Sequence, residues 1–89
     1  MTMRELSQLR YLRREIERES GKMRERHTAE IARLEAYITA VDDSLTRQAF
    51  ILRFSEGLSW RAVAYRIGGG NTADGIRMQC VRYLQRNSG

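Results

Sequence analysis

The side chains best suited to recognise another molecule are arginines and a glutamine near the end of the chain. The segment between residues 73 and 86 contains Arg77, Gln79, Arg82 and Arg86. Guanidinium and amide groups commonly pair with the base edges and phosphate oxygens of nucleic acids. A basic face that is merely solvated has the same composition. The helices that position these side chains therefore have to be considered before nucleic-acid recognition is preferred to a solvated face.

A short amphipathic helix is predicted upstream of these residues, from Ser59 to Ile67. Ser59 is a favourable N-cap because its hydroxyl can accept a free amide of the first turn. Spacings of three, one and three residues place one apolar face on this helix, made of Trp60, Val63, Ala64 and Ile67. The glycines 68–70 then end the helix, since glycine takes a positive φ without a Cβ clash.

A second helix is predicted from about residue 73 to residue 85. Either Asn71 or Thr72 can cap it, and Asp74 suits the positive end of its dipole. Its apolar face consists of Ile76, Cys80, Tyr83 and Leu84, and its opposite face is basic. With a scaffold helix over residues 45–55, these elements predict a tri-helical helix-turn-helix unit. The residues predicted to contact DNA are Arg61, Arg66, Asn71, Thr72, Ala73, Arg77, Met78, Gln79 and Arg82.

The same stretch carries a longer motif, R-(F/Y)-x-x-G-x-(S/T)-W-x-x-(I/V)-A-x-x-(I/L)-G. Its positions are Arg53, Phe54, Gly57, Ser59, Trp60, Val63, Ala64, Ile67 and Gly68, followed by Ile76-Arg77 and Tyr83-Leu84. Through these residues the chain resembles region 4 of sigma-70-type factors, and more closely the small sigma-like regulators of Gram-positive phages and prophages. The resemblance covers roughly residues 42–86, with a turn lengthened by Gly69 and Gly70. It implies binding of double-stranded DNA.

The charge of the chain is unevenly distributed. Sixteen Lys and Arg residues against eleven Asp and Glu residues give a net charge of +5 over 89 residues. From Gly57 onward there are five arginines and a single acidic residue, Asp74. Such a local positive field favours a polyanionic partner. No membrane span or signal peptide is predicted, so the expected location is the cytoplasm of a bacterium or of a phage-infected host cell.

Residues 3–41 are predicted to be helical and to carry a coiled-coil-like apolar stripe. Ser20-Gly21 weakens this pattern, so one long helix and a helical hairpin broken near Ser20-Gly21 or before Thr28 both remain open. An amphipathic helix needs a partner surface, and we expect self-association, with a dimer favoured. The alternative is that the stripe packs only on the C-terminal domain of its own chain. The residues expected at the oligomer interface are Leu9, Leu12, Ile16, Met23, Ile31, Leu34 and Ile38.

No arrangement of residues for catalysis is predicted. A nucleophile such as Cys80 would need a neighbouring base, and the single histidine, His27, lies in the N-terminal part of the chain. His27 also lacks companions at metal-ligand spacing, and the glycine turn lacks the Lys-Ser/Thr ending of a phosphate-binding loop. We therefore expect neither an enzyme nor a metal site nor a cofactor.

Together these patterns predict an all-α protein with two parts. Residues 1–41 are expected to form a long helical oligomerisation arm, either a coiled coil or a helical hairpin, and residues 42–89 the helix-turn-helix domain. The expected function is sequence-specific binding of double-stranded DNA by an oligomeric phage or prophage transcriptional regulator. Two alternatives remain: a DNA-recognition subunit of a phage packaging assembly, similar to a small terminase subunit, and a helical module that docks on RNA polymerase.

Overall fold

The computed structural model describes residues 1–18 and 21–87, which form helices joined by short turns. This described part is all-α, as the sequence predicts. The α-helices are α1 (Met3–Ile16), α2 (Lys22–Thr39), α3 (Ser44–Phe50), α4 (Trp60–Ile67) and α5 (Ala73–Arg86). Helix α3 continues directly into a π-helical segment over Ile51–Ser55, and the amide of Glu56, the residue after it, donates to the Ile51 carbonyl at 3.0 Å.

Side-chain caps start four of these helices. Each capping oxygen accepts a hydrogen bond from the backbone amide three residues further on, at 2.9–3.1 Å, which satisfies an amide that the helix itself leaves unpaired. The prediction that Ser59 caps its helix is confirmed, and Thr72, not Asn71, is the cap of α5. The four caps are Thr2, Asp43, Ser59 and Thr72.

The N-terminal part of the chain forms two helices, α1 and α2, which pack against each other. The helical hairpin is therefore the observed member of the two arrangements left open by the sequence. Ser20, near which one of the predicted breaks falls, lies outside the described residues. Two ion pairs join the helices at the surface, Arg13 with Glu35 at 2.6 Å and Arg33 with Glu5 at 3.0 Å. Exposed pairs of this kind contribute little stability, so apolar burial holds the hairpin together.

A single hydrophobic core is shared by the hairpin and the C-terminal helices. α1 packs on both α2 and the π-helical segment, while α3, α4 and α5 pack on one another. The core therefore crosses the boundary predicted between residues 41 and 42. Its buried members are Leu6, Leu9, Leu12, Leu34, Ile38, Val41, Ala49, Phe50, Leu52, Phe54, Val63, Ala64, Ile76, Cys80, Tyr83 and Leu84.

Most residues expected at an oligomer interface face this core. Leu9, Leu12, Leu34 and Ile38 are between 0% and 7% exposed within the single chain, and Ile31 packs partly buried against them. Ile16 is half-buried, and Met23 is 50% exposed. The chain itself therefore covers most of the apolar stripe, partly by packing α1 on α2 and partly by contact with the C-terminal helices, and not by the C-terminal domain alone.

The turn that leads from the π-helical segment into α4 is held by two arginines. Arg10 of α1 donates from Nη1 to the carbonyl oxygen of Glu56 at 2.6 Å, and its side chain lies against Gly57. Arg53 donates from Nη1 to the Leu58 carbonyl at 2.9 Å, and its guanidinium lies 5.1 Å from the centre of the Trp60 ring. The hairpin thus touches the turn that sets the start of α4.

Replacing Gly57 with alanine is expected to lower the free energy of unfolding by about 1–3 kcal/mol. Gly57 has a φ of +76°, which alanine adopts only with strain, and an added Cβ would overlap the Arg10 side chain. Urea denaturation measures the loss. In an Arg10→Ala background the same substitution should cost only the backbone strain. An identical loss in both backgrounds would contradict the contact between Arg10 and the turn.

Candidate nucleic-acid interface

The turn between α4 and α5 is fixed by consecutive glycines and one asparagine. Gly68, Gly69 and Gly70 all have positive φ values, between +66° and +78°. The side chain of Asn71 donates from Nδ2 to the Gly68 carbonyl at 2.8 Å, and Thr72 then caps α5. Asn71 therefore closes the turn, and the amide end of α5 is presented to solvent beside it.

Helix α5 has two distinct faces. Its inner face carries Ile76, Cys80, Tyr83 and Leu84, which are between 0% and 8% exposed. The Phe50 ring meets Tyr83 edge-on, with ring centroids 6.1 Å apart, so α5 rests on α3 through aromatic contact. The outer face carries the exposed side chains Arg77, Met78, Arg82 and Arg86. The predicted division into a packed face and a basic face matches this arrangement.

The arginines of α4 and α5 lie outside the ion pairs of the described residues. Within the described ranges, the ion pairs lie in the hairpin, where they join Arg13 with Glu35 and Arg33 with Glu5 and Glu30. None of these pairs includes an arginine from the last two helices. These arginines are exposed, and they are Arg61, Arg66, Arg77, Arg82 and Arg86.

Two flanks of α5 differ in their surroundings. On one flank, Arg82 and Arg86 line a polar concavity together with Asp42 and Asp43. Hydrogen bonds from Thr46 hold the pKa of Asp43 below its usual range, and the positive charge of Arg86 is a smaller influence in the same direction. Arg77 lies about 140° around the helix axis from Arg82, and it is not part of this concavity. The Arg77 flank of α5 therefore lies apart from those two carboxylates.

Gln79 differs from the other predicted contact residues because its amide is engaged inside the chain. Its Nε2 atom donates to Asp43 Oδ2 at 3.1 Å and to Thr46 Oγ1 at 3.3 Å. The side chain is half-buried between α5 and the start of α3. Sequence patterns placed Gln79 on the basic face but gave no sign of these partners, which are more than thirty residues away.

The outer face of α4 contains Arg61 and Arg66, both exposed, as predicted, and a residue not assigned to the interface by the sequence. Tyr65 is 86% exposed, the largest exposure among the large hydrophobic side chains of the described residues. Arg61 and Tyr65 are four residues apart, so they neighbour each other on the helix surface. The remaining predicted positions, Thr72 and Ala73, lie at the start of α5, where Thr72 is exposed and Ala73 half-buried.

Burial makes the thiol of α5 chemically inert. Cys80 is 0% exposed, and desolvation raises the pKa of its thiol to about 12. No three His, Cys, Asp or Glu side chains converge as metal ligands in the part of the chain covered by the structure. In that same part, none of the helices has both the length and the hydropathy needed to cross a bilayer. Comparisons with protein-family models, with curated proteins and with solved structures return no match for this chain.

Proposed function

We propose that this protein binds double-stranded DNA and that α4, the glycine turn and α5 act as a helix-turn-helix. The observation that carries the proposal is the set of exposed arginines on these two helices, none of them held in an ion pair within the described chain. An α-helix fits the major groove, and arginine pairs bidentately with guanine and with phosphate. The resemblance to sigma-70 region 4 supports the same assignment.

In this proposal α5 enters the major groove with its N-terminal half leading. Arg77 and Met78 approach base edges, while Thr72 and Ala73 lie at the front of the helix next to the phosphate backbone. Arg61 and Arg66 on α4 hold phosphates and contribute mainly affinity, because contacts to phosphate carry no sequence information. Arg82 contacts the backbone further along α5, on the side of the polar concavity.

The biological role that fits such a reader is a cytoplasmic transcriptional regulator of a phage or prophage. Two copies would read two half-sites, whose spacing follows from how the copies associate. Because the leucines of α1 and α2 are covered within one chain, contacts between copies are to be sought among exposed residues such as Met23. The mass of the protein in solution tests this part of the proposal.

A second candidate function rests on Tyr65. An aromatic side chain that is 86% exposed between two arginines is a suitable anchor for a protein partner, since tyrosine and arginine are enriched at binding hot spots. In that case the basic face would meet an acidic protein surface, for example on RNA polymerase. Salt-dependent DNA binding and polymerase binding, measured side by side, separate the two functions.

The decisive test is binding to random and genomic duplex DNA at several salt concentrations, with the mass of the protein determined in the same run. We expect the logarithm of affinity to fall linearly with the logarithm of salt, by about 0.9 per phosphate contacted. A few strongly preferred fragments would identify a sequence reader. A large ring would point to a packaging subunit instead, and absence of binding at low salt would refute DNA recognition.

A further inference from the structure

A polar network connects the start of α3 with the middle of α5. The carboxylate of Asp43 caps α3, accepting the amide of Thr46 at 2.9 Å, and its Oδ2 atom also accepts the hydroxyl of Thr46. The amide of Gln79 donates to this same oxygen at 3.1 Å and to Thr46 Oγ1 at 3.3 Å. Thr46 is 0% exposed and Asp43 is exposed, so this network runs from the edge of the core to the surface.

The amide of Gln79 is anchored by this network. Asp43 Oδ2 and Thr46 Oγ1 are hydrogen-bonded to each other, so both acceptors lie in nearly the same direction from Nε2 and share one N–H group of the amide. Reading adenine bidentately requires an amide donor and the amide oxygen to face the same base edge. With one N–H group held at the start of α3, swinging the side chain out to a base edge would break the network.

A second tie lies one helical turn further along α5. The hydroxyl of Tyr83 donates to Asp42 Oδ1 at 3.4 Å, and Tyr83 is four residues after Gln79. The adjacent residues Asp42 and Asp43 thus hold two successive turns of the same flank of α5. Two points of attachment along one flank restrict rotation of the helix about its own axis.

This rotation determines which side chains face a groove. At the 5–6 Å radius of a helix with its side chains, a turn of about 20° displaces the surface by roughly 2 Å. Such a displacement exceeds the tolerance of a hydrogen bond to a base edge. The orientation of Arg77 therefore depends on how firmly the opposite flank of α5 is held.

We propose that Gln79 is a positioning residue that latches α5 to the start of α3 and so orients Arg77 for DNA, and that it does not read a base. This inference rests on the proposed function, since orientation matters only if α5 meets DNA. It reassigns one predicted contact residue and gives Asp43 a role beyond capping.

The experiment compares variants on the preferred duplex and on a panel in which each base pair is changed in turn. Gln79→Ala removes the latch, and Asp43→Ser removes it as well while keeping a good helix cap. Both variants should bind the preferred duplex about two- to tenfold more weakly, the range expected for one lost hydrogen bond. Both should also discriminate less well against a changed base pair, at every position of the site. The double variant should be no weaker than either single variant, and Asp43→Asn, which keeps an acceptor, should restore binding.

Gln8→Ala on the exposed surface of α1 is the matched control and should bind like the original protein. Loss of discrimination at a single base pair in Gln79→Ala, with normal binding by Asp43→Ser, would overturn the inference and make Gln79 a base reader. If the unaltered protein does not bind DNA, the proposed function fails. The latch is then judged by urea denaturation, where additive effects of Asp43→Ser and Gln79→Ala would refute it.

Discussion

Replacing Arg77 with alanine is expected to weaken binding to the preferred DNA duplex by about 1–3 kcal/mol, roughly a factor of 5 to 150. Arg77 is exposed on the flank of α5 away from Asp42 and Asp43, and no ion pair within the described residues neutralises it. Truncation leaves the core untouched, because Arg77 is exposed and the Met78 sulfur that its Nη2 atom meets at 3.8 Å is also at the surface. Fluorescence anisotropy with a labelled duplex measures the change.

Arg24→Ala, on the exposed surface of α2, removes the same charge away from the interface and is the matched control. Its affinity should stay close to that of the original protein. Arg77→Lys separates the contribution of charge from that of bidentate pairing, since lysine keeps the charge but loses the bidentate geometry. Equal loss on every sequence would make Arg77 a phosphate contact only, and an unchanged affinity in Arg77→Ala would contradict its place in the interface.

Replacing Leu9 with alanine is expected to lower the free energy of unfolding by about 2–5 kcal/mol. Leu9 is 0% exposed and belongs to the core that α1 shares with the C-terminal helices. Small domains are stabilised by only about 5–15 kcal/mol, so this loss is a large fraction of the total. Urea denaturation followed by circular dichroism should show one cooperative transition at a lower midpoint.

The same measurement, repeated over a range of protein concentrations, separates intrachain packing from an oligomer contact. Tyr11→Ala is the control, because Tyr11 is 56% exposed and its truncation should cost little. If Leu9 packs only within its own chain, the destabilisation is independent of concentration. If Leu9→Ala left the stability unchanged but reduced the mass of the assembly in solution, Leu9 would lie in an interface between copies.

Local features of the fold were accessible from the sequence because each depends on residues close together in the chain. The cap at Ser59, the end of α4 at Gly68 and the inner face of α5 follow from hydroxyl chemistry, glycine conformations and helical spacing. Val63 and Ala64, predicted on the apolar face of α4, are buried. Periodicity alone could not decide the N-terminal topology, since a stripe that faces a second chain and one that faces its own chain have the same spacing.

Features that depend on distant residues were not accessible. Arg10 reaches the Glu56 carbonyl across 46 positions, and Gln79 reaches Asp43 across 36. Composition placed Gln79 with the arginines because both residue types suit base recognition. The predicted helix over residues 45–55 is interrupted by a change of hydrogen-bond spacing at Ile51, which residue propensities do not reveal.

The burial of Cys80 gives this protein a natural reporter. It is the only cysteine in the chain, it is 0% exposed, and its thiol has a pKa of about 12. A thiol-specific label reacts with an accessible thiolate, so modification must wait until α5 leaves the core. The labelling rate of the unaltered protein therefore reports how often α5 opens. A molecule bound across that helix would make these openings rarer and the labelling slower.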